Sequence, residues 1–295
     1  MLLPPYVLIP LGTGLVYAVA ALLLKRAMEQ GVGPWRVTFV TNWVLAIAFL
    51  PLWFVGNGPF EWRHAQAAAL TGATFFAGQI FTFLSLGRGD ASVATPVLGT
   101  KVIFVALLTV LLLGDPVPGS WWIAALLTTA ATALLGTGGT GKKGGGGHGL
   151  TLFYAFLSAA LFSVTDILTQ KYLHQSGFAR FVPVMFLTAG LFSFTLMPLY
   201  SGNLRGLPGG TWRWLLPGAG LLAVQSFGMA FAIGEYGHAT VVNIVHSSRG
   251  VWSVVLVWLA GHWFENAERE QGGRVMIRRL AGSALIVCAI RLVMG

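Results

Sequence analysis

The chain has 295 residues, of which 56% are hydrophobic and 9% charged, whereas an ordinary soluble domain carries about 25% charged residues. Its formal net charge of +9 is scattered singly between apolar runs, which favours membrane-interface positions over nucleic-acid binding. The single cysteine, Cys288, excludes an internal disulfide and a cysteine metal cluster. The composition therefore predicts an integral membrane protein.

Ten apolar segments follow one another along the chain, each near the spanning length of about 20 residues. They cover residues 7–28, 35–55, 66–87, 91–114, 118–136, 150–173, 181–200, 212–234, 238–262 and 276–294. The last is the weakest, because Arg278, Arg279 and Arg291 leave it a short apolar core. We predict an all-α membrane protein with ten transmembrane helices.

The segment TGGTGKKGGGGHG, residues 137–149, separates the fifth and sixth spans. Gly136 to Lys142 fits the spacing of a phosphate-binding loop, but that loop needs a preceding strand and Ser or Thr where Lys143 stands. The glycine content indicates a flexible linker instead. It divides the chain into residues 1–136 and 150–295.

The two halves align with each other at a shift of 146–148 positions. Lys25 falls on Lys171, and DASVATPVLGTKVIFVALLTVLLLG lies over HATVVNIVHSSRGVWSVVLVWLAGH. In the alignment of these two segments, at a shift of 148 positions, Lys101 falls on Arg249. Since five spans per half is an odd number, the second half must enter the membrane the other way up. We predict two inverted five-helix repeats with a site near the midplane.

These features resemble the drug/metabolite transporter superfamily, EamA type: two five-span halves, a Lys closing the first span of each, and ATPVLGTKVIFVALLTVLLLGD as fourth span. The resemblance implies a transporter whose central cavity is lined by the first four spans of each half. The fifth and tenth spans would be peripheral. AALLLKRAMEQG also resembles the first helix of the small multidrug resistance branch, which carries a cation-binding carboxylate eight residues before the Lys. Tyr17 and Ser163 stand there in this chain, so cationic drugs are not expected.

Two charged residues lie deep within predicted spans. At 1.5 Å per residue, Lys101 lies about 14 Å into a hydrocarbon core about 30 Å thick, and Arg249 lies similarly near the middle. A charge at that depth costs a few kcal/mol or more. Either buried carboxylates neutralise both cations and hold helices together, or part of the positive charge serves a ligand. Asp166 lies inside a span, and the other candidate partners lie near span ends: Asp90, Asp115 and Glu235.

Polar and aromatic neighbours extend this candidate site. Asn243, His246 and Ser253 approximate one helical face with Arg249. We predict substrate binding by Lys101, Arg249, His246, Asn243, Ser253, Thr100, Trp252 and Tyr17. For His246 an interhelical hydrogen bond is an alternative, and for Trp252, Tyr17, Gln79 and Gln225 it is packing. Asp166 is interpreted as either a proton carrier or a structural counter-ion.

The predicted function is secondary active transport of a small anionic or zwitterionic metabolite by alternating access through a basic cavity. Flipping of lipids or phospholipid headgroups and multidrug export are the alternatives. Because the six histidines lack metal-site spacing, we expect no enzymatic activity, metal or cofactor. The expected partners are a small-molecule substrate and the lipid bilayer, without nucleic acid, and a homodimer is left open. The expected location is a cell membrane, with a bacterial inner membrane favoured.

The loop charges predict an orientation. Apart from Lys101 and Arg249, twelve basic residues follow odd-numbered spans and four lie on the other side. The positive-inside rule then puts both termini outside the cytoplasm. The family resemblance implies cytoplasmic termini.

Overall fold

The computed structural model describes residues 4–56, 61–88, 91–136, 148–200, 202–207, 209–260 and 273–295. Within these ranges the regular structure is helical, without strands. The α-helices are α1 Pro5–Glu29, α2 Pro34–Phe49, α3 Leu52–Val55, α4 Trp62–Arg88, α5 Ala91–Gly99, α6 Lys101–Leu108, α7 Gly119–Leu135, α8 His148–Ser176, α9 Phe178–Phe192, α10 Trp212–Tyr236, α11 Ala239–His246, α12 Arg249–Ala260 and α13 Gly273–Met294. A π-helical turn, Thr109–Leu113, extends α6, and a 3₁₀ segment, Ser193–Leu199, extends α9.

The apolar runs form helices because a backbone in lipid must satisfy its hydrogen bonds within the segment. In the described ranges, seven helical stretches are long and apolar enough to cross a membrane. They are Pro5–Glu29, Pro34–Val55, Trp62–Leu86, Ala94–Leu113, Gly149–Ser176, Phe178–Leu199 and Gly209–Tyr236. The prediction of an all-α membrane protein is confirmed, whereas the count of ten spans stays a prediction.

The remaining three predicted spans are not among these seven stretches. Helix α7 is apolar but shorter, and α13 carries the three arginines that weaken its sequence signal. The predicted span 238–262 is divided into α11 and α12 in the part that the structure describes. Of the predicted linker, residues 137–147 lie outside the described residues.

The helix contacts follow a reciprocal pattern. Helix α1 packs along α10, and α4 packs along α8. Helix α1 also contacts α11 and α12, as α8 contacts α5 and α6. Helix α2 packs on α9, and α7 on α13. Suppose that α1 corresponds to α8 and α4 to α10. Exchanging the two halves of the chain then turns each of these contacts into another contact of the set or leaves it unchanged. A two-fold repeat requires this pattern, and the inverted repeat remains a prediction.

Two interrupted helices lie at the positions that the sequence alignment pairs. Helices α5 and α6 meet at Thr100, whose N–H bonds to the Val97 carbonyl only three residues back, at 3.1 Å. Helices α11 and α12 meet at Ser247 and Ser248, and the Ser248 N–H likewise bonds to the Val245 carbonyl, at 3.0 Å. These tightened turns interrupt the α-helical hydrogen-bond ladder. The second helix of each pair begins with the predicted cation, Lys101 or Arg249.

Helix α1 packs directly against the second interruption. A Cβ atom at Gly14 would lie 2.9 Å from Ser248 Oγ and 3.2 Å from the Arg249 backbone nitrogen. Gly14 therefore allows α1 to pack closely against the start of α12, and small residues are common at such contacts between membrane helices. This contact fixes the start of α12 against the middle of α1.

Candidate functional site

A cavity of about 490 Å³ lies between the helices, a size suited to a small organic ligand. Residues of α1, α2, α4, α5, α6 and α8 to α12 line it, and none of the described residues of α7 or α13 does. Rings such as Phe75 and Phe162 form much of the wall. The titratable side chains in the lining are Tyr17, Lys101, Asp166, His246 and Arg249.

Lys101 and Asp166 form an ion pair in the cavity wall. Lys101 Nζ lies 2.8 Å from Asp166 Oδ2, and the two side chains are 22% and 13% exposed. Lys101 Nζ also lies 5.7 Å from the ring centroid of Phe162. The sequence left open which deep cation Asp166 would pair with, and the packing of α6 on α8 brings the carboxylate to the Lys101 amine. A buried pair with a hydrogen-bonded carboxylate is tolerated where a lone charge is not.

Asn243 supports this ion pair from behind. Its Nδ2 donates to Asp166 Oδ2 at 2.7 Å and to the Ala239 carbonyl at 2.9 Å. Both amide hydrogens are thus used. Asp166 Oδ2 accepts the hydrogen bond from Asn243 and forms the ion pair with Lys101. Asp166 Oδ1 accepts no hydrogen bond from the described protein groups. The carboxylate is held by one oxygen and left with the other unused.

Arg249 is placed differently. Its guanidinium carbon lies 4.8 Å from the ring centroid of Tyr17, a cation–π distance. No acidic side chain in the described ranges forms an ion pair with it. Arg249 thus brings to the cavity a positive charge that an aromatic ring supports and no described carboxylate neutralises.

His246 connects this arrangement to α1. Thr13 Oγ1 donates to the Pro10 carbonyl at 2.9 Å, so in its 3.1 Å contact with His246 Nδ1 the hydroxyl accepts and Nδ1–H donates. The imidazole also meets the Tyr17 ring edge-on, with centroids 5.9 Å apart. His246 makes an interhelical hydrogen bond and also lines the cavity. His246 thus packs against the Tyr17 ring, over which the Arg249 guanidinium lies.

The other predicted site residues lie outside the cavity lining. Asn243 is buried behind Asp166, and Ser253 donates to the Arg249 carbonyl at 2.8 Å. Thr100 donates to the Val97 carbonyl at 2.6 Å, and Trp252 is partly buried. The prediction of a common face assumed one continuous helix, and the interruption after His246 changes the direction of the side chains that follow. A substrate contact for these four residues stays a prediction.

Sequence reasoning missed several polar lining residues, among them Thr82, Ser158 and Thr165. Gln79 and Gln225, considered as linings from the sequence, both border the cavity. Asn42 Nδ2 donates to Gln79 Oε1 at 3.0 Å and orients that amide. The two glutamines are 146 positions apart, so the repeat alignment was the signal that could have singled them out.

The two positions that replace the small multidrug resistance carboxylate are also used reciprocally. Tyr17 on α1 lies beneath Arg249, while the Ser163 hydroxyl on α8 bonds to the Lys101 carbonyl at 3.0 Å. Each contacts the cationic residue of the other half. Neither supplies a negative charge.

Interrupted helices beside a binding cavity are a feature that many secondary transporters share. Residues 4–137 match the family model described as the EamA-like transporter family. The matched residues are somewhat less than half of the chain, and they confirm the resemblance to the drug/metabolite transporter superfamily there. With its seven long apolar helical stretches in the described ranges, the chain is a multi-pass membrane protein that is similar to transporters of this type.

Solved structures agree with the fold. One, titled only as a crystal structure of a protein, matches with a TM-score of 0.76 and 17% sequence identity over 97% of both chains. At this identity the match supports the fold alone. No curated protein matches the sequence.

Proposed function

We propose that the protein is a secondary active transporter that binds a small carboxylate or zwitterion in the central cavity and moves it by alternating access. The two predicted repeats would form the moving halves, and a bacterial inner membrane is the proposed setting.

The observation that carries this proposal is the position of Arg249. Among the Lys, Arg and Asp side chains that line the cavity, two are cations and one is an anion. The Lys101–Asp166 pair is neutral as a unit, which leaves the charge of Arg249. Such a charge inside a membrane protein is expensive without a partner, and a substrate anion would supply one. The planar guanidinium suits bidentate binding of a carboxylate.

The test is equilibrium binding of radiolabelled acetate, benzoate, glycine and tetraphenylphosphonium to the purified protein. We expect a carboxylate-bearing compound to bind, Arg249→Gln to abolish that binding and Arg249→Lys to restore part of it, because Lys keeps the charge without the fork. Lys101→Gln should weaken binding less. The bound compound should also show counterflow in proteoliposomes.

Arg213 provides the matched control. Its guanidinium carbon lies 5.3 Å from the Trp214 ring centroid on an exposed part of α10, so Arg213→Gln removes an arginine–aromatic contact outside the cavity. Binding should survive this change. Binding of tetraphenylphosphonium alone would favour a multidrug exporter. Movement of labelled phosphatidylglycerol in vesicles, with no soluble compound bound, would favour a lipid flippase.

A further inference from the structure

The Lys101–Asp166 ion pair lies in the cavity proposed to bind the substrate, and the proposed function gives this pair no role. Both side chains line the same cavity as Arg249, so a carboxylate that reaches Arg249 enters a space that also contains the Lys101 amine. That amine is already occupied by Asp166 Oδ2, at 2.8 Å. A substrate carboxylate and Asp166 are chemically equivalent partners for it. The two therefore compete for one ammonium group.

We propose that Asp166 couples substrate binding to proton binding by exchange at Lys101. The substrate carboxylate replaces Asp166 on the Lys101 ammonium group, and the released Asp166 carboxylate takes up one proton from the cavity. One ion pair breaks, an equivalent one forms, and one O–H bond is made on Asp166. This inference rests on the proposed function, because it needs an anionic substrate at Arg249.

The geometry around Asp166 suits this exchange. Asn243 remains hydrogen-bonded to Oδ2 after Lys101 departs, so the side chain keeps its position. Oδ1 accepts no described hydrogen bond and belongs to a residue that lines the cavity, which leaves it available for the proton. A buried carboxylate that loses its cationic partner is stabilised by protonation.

The exchange leaves the net charge of the cavity unchanged. Before exchange the cavity contains Lys101, Arg249 and one carboxylate, and after exchange it contains the same two cations, the substrate carboxylate and neutral Asp166. Lys101 thus has one carboxylate partner before the exchange and one after it.

The other titratable groups facing this site are few. Helix α1 contributes Tyr17, α11 contributes His246 and α12 contributes Arg249. The described lining residues of α4, α5, α9 and α10 include no acidic or basic side chain. Among these groups, His246 is the one whose own titration could imitate the effect, and it requires a separate variant.

The test measures benzoate binding to the purified protein between about pH 5 and pH 8. The native dissociation constant should rise with pH, by up to about tenfold per pH unit, the limit for one linked proton. Asp166→Asn should remove this slope and bind benzoate more tightly than the native protein at the alkaline end, because Lys101 is then free. Asp115→Asn is the matched control, since Asp115 is exposed outside the cavity and its loss should leave the slope intact.

A second variant covers the case in which Asp166→Asn fails to fold. Lys101→Gln/Asp166→Asn removes both charges with little change in shape, and it should bind benzoate weakly through Arg249 without a pH slope. A slope that persists in either variant, or disappears in His246→Gln, overturns the exchange while the proposed function stands. If native protein binds glycine but not benzoate, the same pH series and variants are measured with glycine, which carries the same carboxylate, and the same outcomes support or overturn the exchange. If no carboxylate binds at all, both proposals fail.

Discussion

Tyr17 illustrates how a single side chain sets the chemistry of this cavity. The position that carries a carboxylate in a related branch carries an aromatic ring here, and Arg249 lies over that ring. A cation over an aromatic face is stabilised without being neutralised. Tyr17 can therefore hold the guanidinium in place and still leave its charge for a ligand.

Replacing Tyr17 tests this role. Tyr17→Phe should keep anion binding close to native, because the ring remains. Tyr17→Ala should weaken binding by about 2- to 30-fold, the range that corresponds to about 0.5–2 kcal/mol for a cation–π contact. The measurement is the dissociation constant of whichever carboxylate binds the native protein. Equal losses in both variants would assign the effect to the hydroxyl group instead of the ring.

The Lys101–Asp166 pair makes a separate prediction about stability. Removing one partner of a fully buried pair costs about 3–5 kcal/mol, and the partial exposure of these side chains should reduce that to about 1–3 kcal/mol for each single variant. In the double variant Lys101→Gln/Asp166→Asn, much of the loss should be recovered. Unfolding in mixed detergent of the native, single and double variants gives the coupling free energy. Additive losses would show that the two residues stabilise the fold independently.

At the scale of single residues, part of the candidate site could be predicted from the sequence. The depth of Lys101, Asp166 and Arg249 could be read from their distance to the ends of apolar runs. Which cation received the single deep carboxylate could not, because that depends on how α6, α8 and α11 pack. Thr13 and the Asn243 amide likewise gain their roles only through neighbours on other helices.

At the scale of helices, the interruptions at Thr100 and at Ser247–Ser248 position both cations. A hydropathy average does not detect these interruptions, because the flanking residues are apolar on both sides. Such an average predicts which segments are apolar enough to lie in lipid, so it predicted the seven long stretches. It contains no information about the local hydrogen-bond pattern, so it could not predict the breaks. The π-helical turn after α6 is invisible to that average too.

Close packing against the second interruption can be tested at Gly14. Gly14→Ala places a methyl group against Ser248 and the Arg249 backbone, and overpacking of this kind costs about 1–3 kcal/mol. We expect lower thermal stability and weaker anion binding together, since the shift moves Arg249. Gly12→Ala is the control, because nothing lies within 4 Å of a Cβ atom there. That variant should be neutral or slightly stabilised, and equal destabilisation of both would remove the packing explanation.

For the whole molecule, the reciprocal contacts make a prediction about sidedness. Glu29 ends α1 and Gln175 lies near the end of α8, at positions 146 residues apart that the repeat alignment equates. Inverted repeats put such a pair on opposite sides of the membrane. In a Cys288→Ser background, an impermeant maleimide added to intact cells should label only one of Glu29→Cys and Gln175→Cys.

The charge count predicts that the labelled residue is Gln175→Cys. Labelling of Glu29→Cys alone would keep the inverted repeat and reverse the orientation, as the family resemblance implies. Labelling of both sites, or of both only after the cells are permeabilised, would contradict the inverted repeat. Permeabilised cells serve as the control for reactivity, since Glu29 and Gln175 are both exposed.

The crossed attachments of the two cationic residues have a consequence for motion. Arg249 is seated on α1 through Gly14 and Tyr17, and Lys101 is tied to α8 through Ser163 and Asp166. Each cationic residue therefore connects a helix of one half of the chain to a helix of the other half. A ligand held by either cation would be linked to both halves at once, so a displacement of that cation on binding would act on both.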